Sequence, residues 1–148
     1  MDQKAFTLVE LLIVMAISLI IIVVALPIYG NLQVSSQLNE NSLQIIQTLR
    51  TARTMSIAGY NNEPHGVKFE SSSYTLYQGA SYDTRISTFD RVMQIGDALI
   101  ITSDLAGDEV NFSKGLGVPS NTGTITLTHD VSGDREIVVN SLGVVEEE

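Results

Sequence analysis

The chain has no cysteine, no tryptophan and only three prolines in 148 residues. Without cysteine it forms neither a disulfide framework nor a thiolate metal centre. Any folded domain must therefore be held by packing and hydrogen bonds. Basic residues are scarce as well: eight Lys and Arg stand against seventeen Asp and Glu, a formal charge of −9. Such a balance repels a phosphate backbone, and the aromatics are not interleaved with basic residues, so nucleic-acid binding is not expected. Catalytic signatures are also missing. There is no G-x-S-x-G elbow and no S-x-x-K pair with supporting motifs, and Gly115-Leu116-Gly117 lacks the rest of a phosphate-binding fingerprint. His65, in a turn beside Pro64, and His129, at a strand end, have no cysteine or acid at ligand spacing and read as solvated surface residues. Asp104, Asp108 and Glu109, and Asp130 with Asp134, match no EF-hand spacing and read as solvated turn acids. No enzymatic activity, no cofactor and no metal are expected.

What the chain does have is a long apolar run near its start. From Phe6 to Leu26 only Thr7, Glu10 and Ser18 are not apolar. A helix needs about 20 apolar residues to cross a bilayer, and this stretch reaches that length. It exceeds the apolar region of a secretory signal peptide, and no A-x-A cleavage site follows it, only Leu26-Pro27-Ile28-Tyr29. The segment is therefore expected to stay in the mature protein as a single membrane span. Lys4 precedes the run and the next basic residue is Arg50, which puts the amino end in the cytoplasm and the remainder outside. Glu10 is the anomaly. A carboxylate within an apolar helix is costly, and intramembrane ionisable groups usually find a partner. No cation lies within reach on the same helix, so the partner is expected from another chain.

Lys4-Ala5-Phe6-Thr7-Leu8-Val9-Glu10-Leu11-Leu12-Ile13-Val14 resembles the amino terminus of type IV pilins and type II secretion pseudopilins. The resemblance implies that prepilin peptidase cuts between Ala5 and Phe6, that Phe6 becomes an N-methylated amino terminus, and that Glu10, the fifth mature residue, acts in assembly. The family usually carries glycine before the cut, and Ala5 departs from that with another small residue. Pro27 matches the family's proline within the long amino-terminal helix, and with Gly30 it is expected to kink that helix.

Beyond Gly30 the helical pattern resumes. Leu38, Ile45, Leu49 and Ala52 recur at helical spacing with Ile46 beside them, and Gln37, Asn41, Gln44, Gln47 and Thr51 form the opposite face. One long helix over roughly 6–58 is expected, ending at Gly59 before the turn Asn61-Asn62-Glu63-Pro64. From Gly66 the period changes to two. Strands are expected over 66–70, 73–78, 91–95, 98–102, 110–112, 124–128 and 136–140, with Ser71-Ser72 and Asp130–Asp134 as turns. Residues 79–90 read as a loop, 115–119 as a loop or edge, and Glu146–Glu148 as an acidic tail. In 124–128, Ile125 and Leu127 face one way and three threonines the other. Arg50 and Arg53 share a helix face and are expected to pair with acids. The fold class is α+β: the long helix packed on an antiparallel sheet.

The second half adds to the resemblance. Leu49-Arg50-Thr51-Ala52-Arg53, Gly66-Val67-Lys68-Phe69 and Asp134-Arg135-Glu136-Ile137-Val138-Val139-Asn140-Ser141-Leu142-Gly143 are similar to the GspH/FimT branch of minor pseudopilins and minor pilins. Some FimT-like members bind DNA through basic residues near the carboxyl end, but Gly143-Val144-Val145-Glu146-Glu147-Glu148 is acidic there. Neither the aspartate-rich calcium site of major pseudopilins nor the carboxyl-terminal cysteine pair of many major pilins is visible, which favours a minor subunit. The resemblance thus implies a leader over 1–5, a transmembrane segment over 6–29 and a periplasmic pilin-like domain over 30–148. It implies a minor pseudopilin of a type II secretion system as the function, with a minor pilin of a type IV pilus or a non-polymerising anchored domain as alternatives. Implied partners are other pilin-like subunits, the prepilin peptidase and methylase, and the inner-membrane assembly platform.

Overall fold

The computed structural model describes residues 7–130 and 133–147, with the side chains of 24–34 outside that set. Two compact units divide the chain, Met1–Ser35 and Ser36–Glu148. Helix α1 runs from Leu8 to Ile57. Pro27 and Gly30 fall within its bounds, but the kink expected there rests on side chains outside the described residues. The carboxyl-terminal part of α1 buries Leu38, Ile45, Ile46, Leu49 and Ala52. Gln37, Gln44, Gln47 and Thr51 on the opposite face are exposed. Each such leucine or isoleucine removed from water contributes roughly 1.5–3 kcal/mol, which is why this face specifies the helix position.

Among the described residues eight strands follow: β1 His65–Phe69, β2 Ser73–Gln78, β3 Arg91–Gln94, β4 Leu99–Ser103, β5 Glu109–Phe112, β6 Gly123–His129, β7 Gly133–Val139 and β8 Val145–Glu147. They divide into two four-stranded sheets, ordered β3-β2-β1-β5 and β4-β6-β7-β8, with every pairing antiparallel. The α+β class is as expected, and the strands form two sheets because β4 pairs with β6 instead of returning to β3. One core joins α1 to both sheets: Val67, Phe69, Tyr74, Val110 and Phe112 come from the first, and Ile101, Ile125, Leu127, Ile137 and Val139 from the second. Ile125 and Leu127 face inward and the threonines between them are half-buried, as the alternation requires.

Three expectations are corrected. Glu146 and Glu147 do not form a free tail, and Glu148 lies outside the described residues. Glu146 and Glu147 belong to β8, which pairs with β7 through Val138↔Glu146 and Ile137↔Glu147, and Glu147 accepts an ion pair from Arg135 at 3.2 Å. Among the described residues Arg50 and Arg53 meet backbone carbonyls and no acid. Arg50 Nη2 donates to Val145 O at 2.9 Å, and Arg53 donates through Nε to Gly117 O and through Nη2 to Leu142 O. A guanidinium fork reaches two carbonyls at once, so Arg53 ties the end of α1 to two loops. The histidines are not solvated: His65 is 2% exposed and His129 is 7% exposed.

Candidate functional site

The amino-terminal unit presents an apolar helix to its surroundings. Every residue from Thr7 to Val23 is exposed, including Leu8, Leu12, Met15, Leu19 and Val23. So much contiguous apolar surface requires a non-aqueous neighbour. Among the described residues no helix is long and apolar enough to cross a membrane.

Two of the three polar residues in this stretch are satisfied within the helix. Ser18 Oγ donates to Val14 O at 2.8 Å, which lets a hydroxyl sit on an apolar helix without an open donor. Thr7 Oγ1 accepts the Glu10 N–H at 3.3 Å, and Thr7 O accepts the Leu11 N–H. Thr7 is therefore the cap of α1, and Thr7-x-x-Glu10 has the spacing of a capping box. That local signal is readable in the sequence and was not among the expectations above. Glu10 also lies in the first turn, where the helix dipole favours an anion. Its carboxylate, however, has no hydrogen bond or ion pair among the described residues. Ala5 and Phe6, the expected cleavage and methylation positions, lie outside the described residues.

Asp104, Asp108 and Glu109 are engaged by their own chain. Asp104 Oδ1 accepts the Thr124 N–H, and Asp108 Oδ1 accepts from Ser103 Oγ. Glu109 Oε2 accepts from Tyr77 Oη at 2.9 Å and from the Tyr82 N–H at 2.8 Å. Burial raises the Tyr77 hydroxyl above its ordinary pKa, so it remains a donor to that carboxylate. Among the described residues no three His, Cys, Asp or Glu side chains are grouped to hold a metal.

His65 is the group whose protonation the fold resists. Its backbone is pinned to the end of α1, where the His65 N–H donates to Ser56 Oγ at 2.9 Å and Ser56 Oγ donates to His65 O. The ring lies against Tyr60, with centroids 5.9 Å apart, and among the described residues neither nitrogen has a partner at full hydrogen-bond geometry. Burial lowers its pKa below the ordinary 6.5, and Glu63 opposes that shift through its backbone and its charge. The unfolded chain therefore binds a proton more readily than the folded one. Stability is held above about pH 6.5 and falls as pH drops toward the lowered folded value. Urea titrations of the full chain at pH 7 and pH 5 are expected to show a larger loss of midpoint for the native protein than for His65→Gln. Parallel losses would rule out a role for His65.

Comparison with known proteins adds two findings. Residues 1–26 match the prokaryotic N-terminal methylation motif. A search of curated protein sequences finds no match. Among solved structures, the type IV minor pilin FimU of Pseudomonas aeruginosa is similar with a TM-score of 0.63 at 11% identity, over 77% of this chain and 90% of that one. The minor pseudopilin EpsH from the type 2 secretion system of Vibrio cholerae is similar with a TM-score of 0.59 at 10% identity, over 76% of this chain and 96% of that one. At these identities the likeness is one of fold. The chain thus carries a prokaryotic N-terminal methylation motif over residues 1–26, and its α+β domain has the fold of minor pilins and minor pseudopilins.

Proposed function

We propose that the chain is a minor pseudopilin, a structural subunit of a type II secretion pseudopilus, made as a membrane precursor and assembled into a filament or its tip. Prepilin peptidase cuts between Ala5 and Phe6, and Phe6 is then N-methylated. The apolar segment anchors the precursor in the inner membrane as a single span, amino end in the cytoplasm and folded domain in the periplasm. Pro27 and Gly30 let the helix bend between its two surroundings. The work of the molecule is assembly with other pilin-like subunits on the inner-membrane platform, not catalysis.

The observation that carries this reading is the Glu10 carboxylate. It stands in an apolar, exposed helix turn with its backbone capped by Thr7 and its side chain unpaired among the described residues. Cleavage before Phe6 creates the cation it lacks, on a neighbouring subunit. Mass spectrometry of the protein recovered from cells is expected to find a methylated Phe6 as the first residue. An intact Met1–Ala5 leader would overturn the reading and leave a non-polymerising anchored domain. The minor pilin of a type IV pilus is the second reading, favoured by the FimU likeness as the first is by EpsH. Loss of exported hydrolases in a deletion strain supports the secretion role, and loss of twitching or DNA uptake supports the pilus role.

A further inference from the structure

Strand β3 is the outer strand of the first sheet, and its Arg91 and Met93 line a trough along α1. Two neighbouring cavities that share Leu76 and Arg91 make up the trough. One, about 320 Å³, runs between Gln44, Gln47 and Thr51 of the helix and Tyr74, Arg91 and Met93 of the sheet. The other, about 270 Å³, continues past Leu76 and Arg91 to His65, Phe89 and Asp90. From Gln44 to Met55 the helix side of the trough extends about 16 Å, at 1.5 Å per residue. An extended segment of about five residues, at roughly 3.3 Å each, fits that length.

Backbone geometry gives the trough a direction. The Ile95 N–H donates to Ser72 O, at the end of the β2–β3 pairing. Residues bonded to the neighbouring strand alternate, so Arg91 and Met93 turn their backbone groups to β2. Val92 and Gln94 turn theirs to the open side, where they meet no partner among the described residues. Edges are usually guarded by short length, charge or cover. Here Val92 is 58% exposed and Ile86 and Phe89 just before it are exposed as well. The preceding loop is braced by Arg85, whose Nε bonds Asp90 Oδ2 at 2.7 Å and whose guanidinium lies 3.7 Å over the Tyr82 ring. Arg91, in contrast, lines both parts of the trough and has no carboxylate partner among the described residues.

We propose that this trough is a strand-addition site for an extended segment of a neighbouring protein subunit, whose backbone bonds Val92 and Gln94 and whose carboxylate pairs with Arg91. Main-chain bonds supply affinity in this mode, and alternate side chains supply specificity. The side chains of the added strand that face α1 lie over Gln44, Gln47 and Thr51 and are polar or acidic. Those on the other face lie beside Val92 and are apolar. A second copy of this chain is disfavoured by its charge of −9. That the neighbour is a pilin-like subunit rests on the proposed function, whereas the trough does not.

The absence of cysteine makes the test direct. Gln94→Cys in the full chain supplies a single thiol, which is labelled with a maleimide–benzophenone reagent in native membranes and irradiated. The expected adduct joins position 94 to an alternating, acid-containing segment of another subunit, identified by mass spectrometry. Val92→Pro removes one outward N–H without touching the bonds to β2, and edge positions accept proline. It is expected to lower the adduct yield about fivefold, the equivalent of one hydrogen bond, and Arg91→Glu is expected to lower it at least as much. Urea midpoints equal to that of Gln94→Cys alone show that both variants remain folded. Adducts only with lipid or with this chain overturn the proposal, as does a yield that neither substitution changes. Loss of the adduct while Phe6 is methylated sinks the trough alone, and an adduct to a subunit with the leader intact sinks the filament reading alone.

Discussion

Glu10→Ala is expected to leave precursor insertion intact and to reduce incorporation into filaments by roughly 100-fold or more. The magnitude follows from what the substitution leaves behind. Removing one partner of a buried ion pair costs about 3–5 kcal/mol, since the other charge remains buried and unpaired. Each 1.4 kcal/mol is about a factor of ten. Thr7 complicates this variant, because Thr7 and Glu10 share the spacing of a capping box as well as the Thr7 Oγ1 bond to the Glu10 N–H. A capping loss alone costs about 1 kcal/mol and would act on the precursor as well as on the filament. Glu10→Gln separates the two, since glutamine serves a capping box but carries no charge. If the intersubunit pair is the function, Gln fails as Ala does, measured as the ratio of filament to membrane protein on immunoblots. Normal assembly of Glu10→Gln would assign Glu10 to the helix end and remove the pairing role.

Gly66→Ala is expected to destabilise the folded unit by about 3–5 kcal/mol. Gly66 sits in β1, at the centre of the first sheet, opposite Tyr77 on one side and Asn111 on the other. A Cβ at this position would stand 2.5 Å from the Tyr77 ring and 2.7 Å from Val110 O. Strand backbone cannot retreat from its own ladder, so the ring must move. Tyr77 then loses its bond to Glu109 and its contact with Asn111 Nδ2, whose second partner is Gly79 O. Overpacking costs about 1–3 kcal/mol, and each buried group left without its partner about 1–3 kcal/mol more. Gly107→Ala is the control: nothing lies within 4 Å of its Cβ, and only its φ of +68° resists a side chain. It is expected to cost about 1 kcal/mol. Urea unfolding of the two full-length variants at pH 7 reads the difference, and equal losses would show that Tyr77 does not hold Gly66.

The parts of this fold that can be read from sequence are those determined by near neighbours. Leu38, Ile45, Leu49 and Ala52 recur on one helix face, and Ile125 and Leu127 on one strand face, and all six are buried. The hairpin at Ser71-Ser72 is equally local. His65 is different. A turn histidine beside proline looks solvated, and what buries it is Tyr60 and the helix end, held by Ser56. The strand Val145–Glu147 is hidden for a related reason: consecutive glutamates are poor strand formers, and only the distant edge of β7 makes them one. Arg50 and Arg53 look like ion-pair residues until loops far along the chain bring carbonyls to them. At the site, the Glu10 carboxylate is legible as an unsatisfied charge. The Thr7 cap beside it is legible only to a reader who also asks where the first helical N–H groups bond.

Arg53 has a consequence in time. Its two bonds close sequence separations of 64 and 89 residues, and that of Arg50 to Val145 closes 95. Contacts of such length are late events in folding, because the intervening chain must first be ordered. The helix precedes the strands in the chain, and its Arg53 bond to Leu142 and Arg50 bond to Val145 form only after residues 142–145 are made. Leu38, Ile45 and Leu49 depend on the later strands of the same core for their cover. An apolar stripe on α1 is thus open in the partly made molecule, and the order in which the chain is synthesised sets how long it stays so.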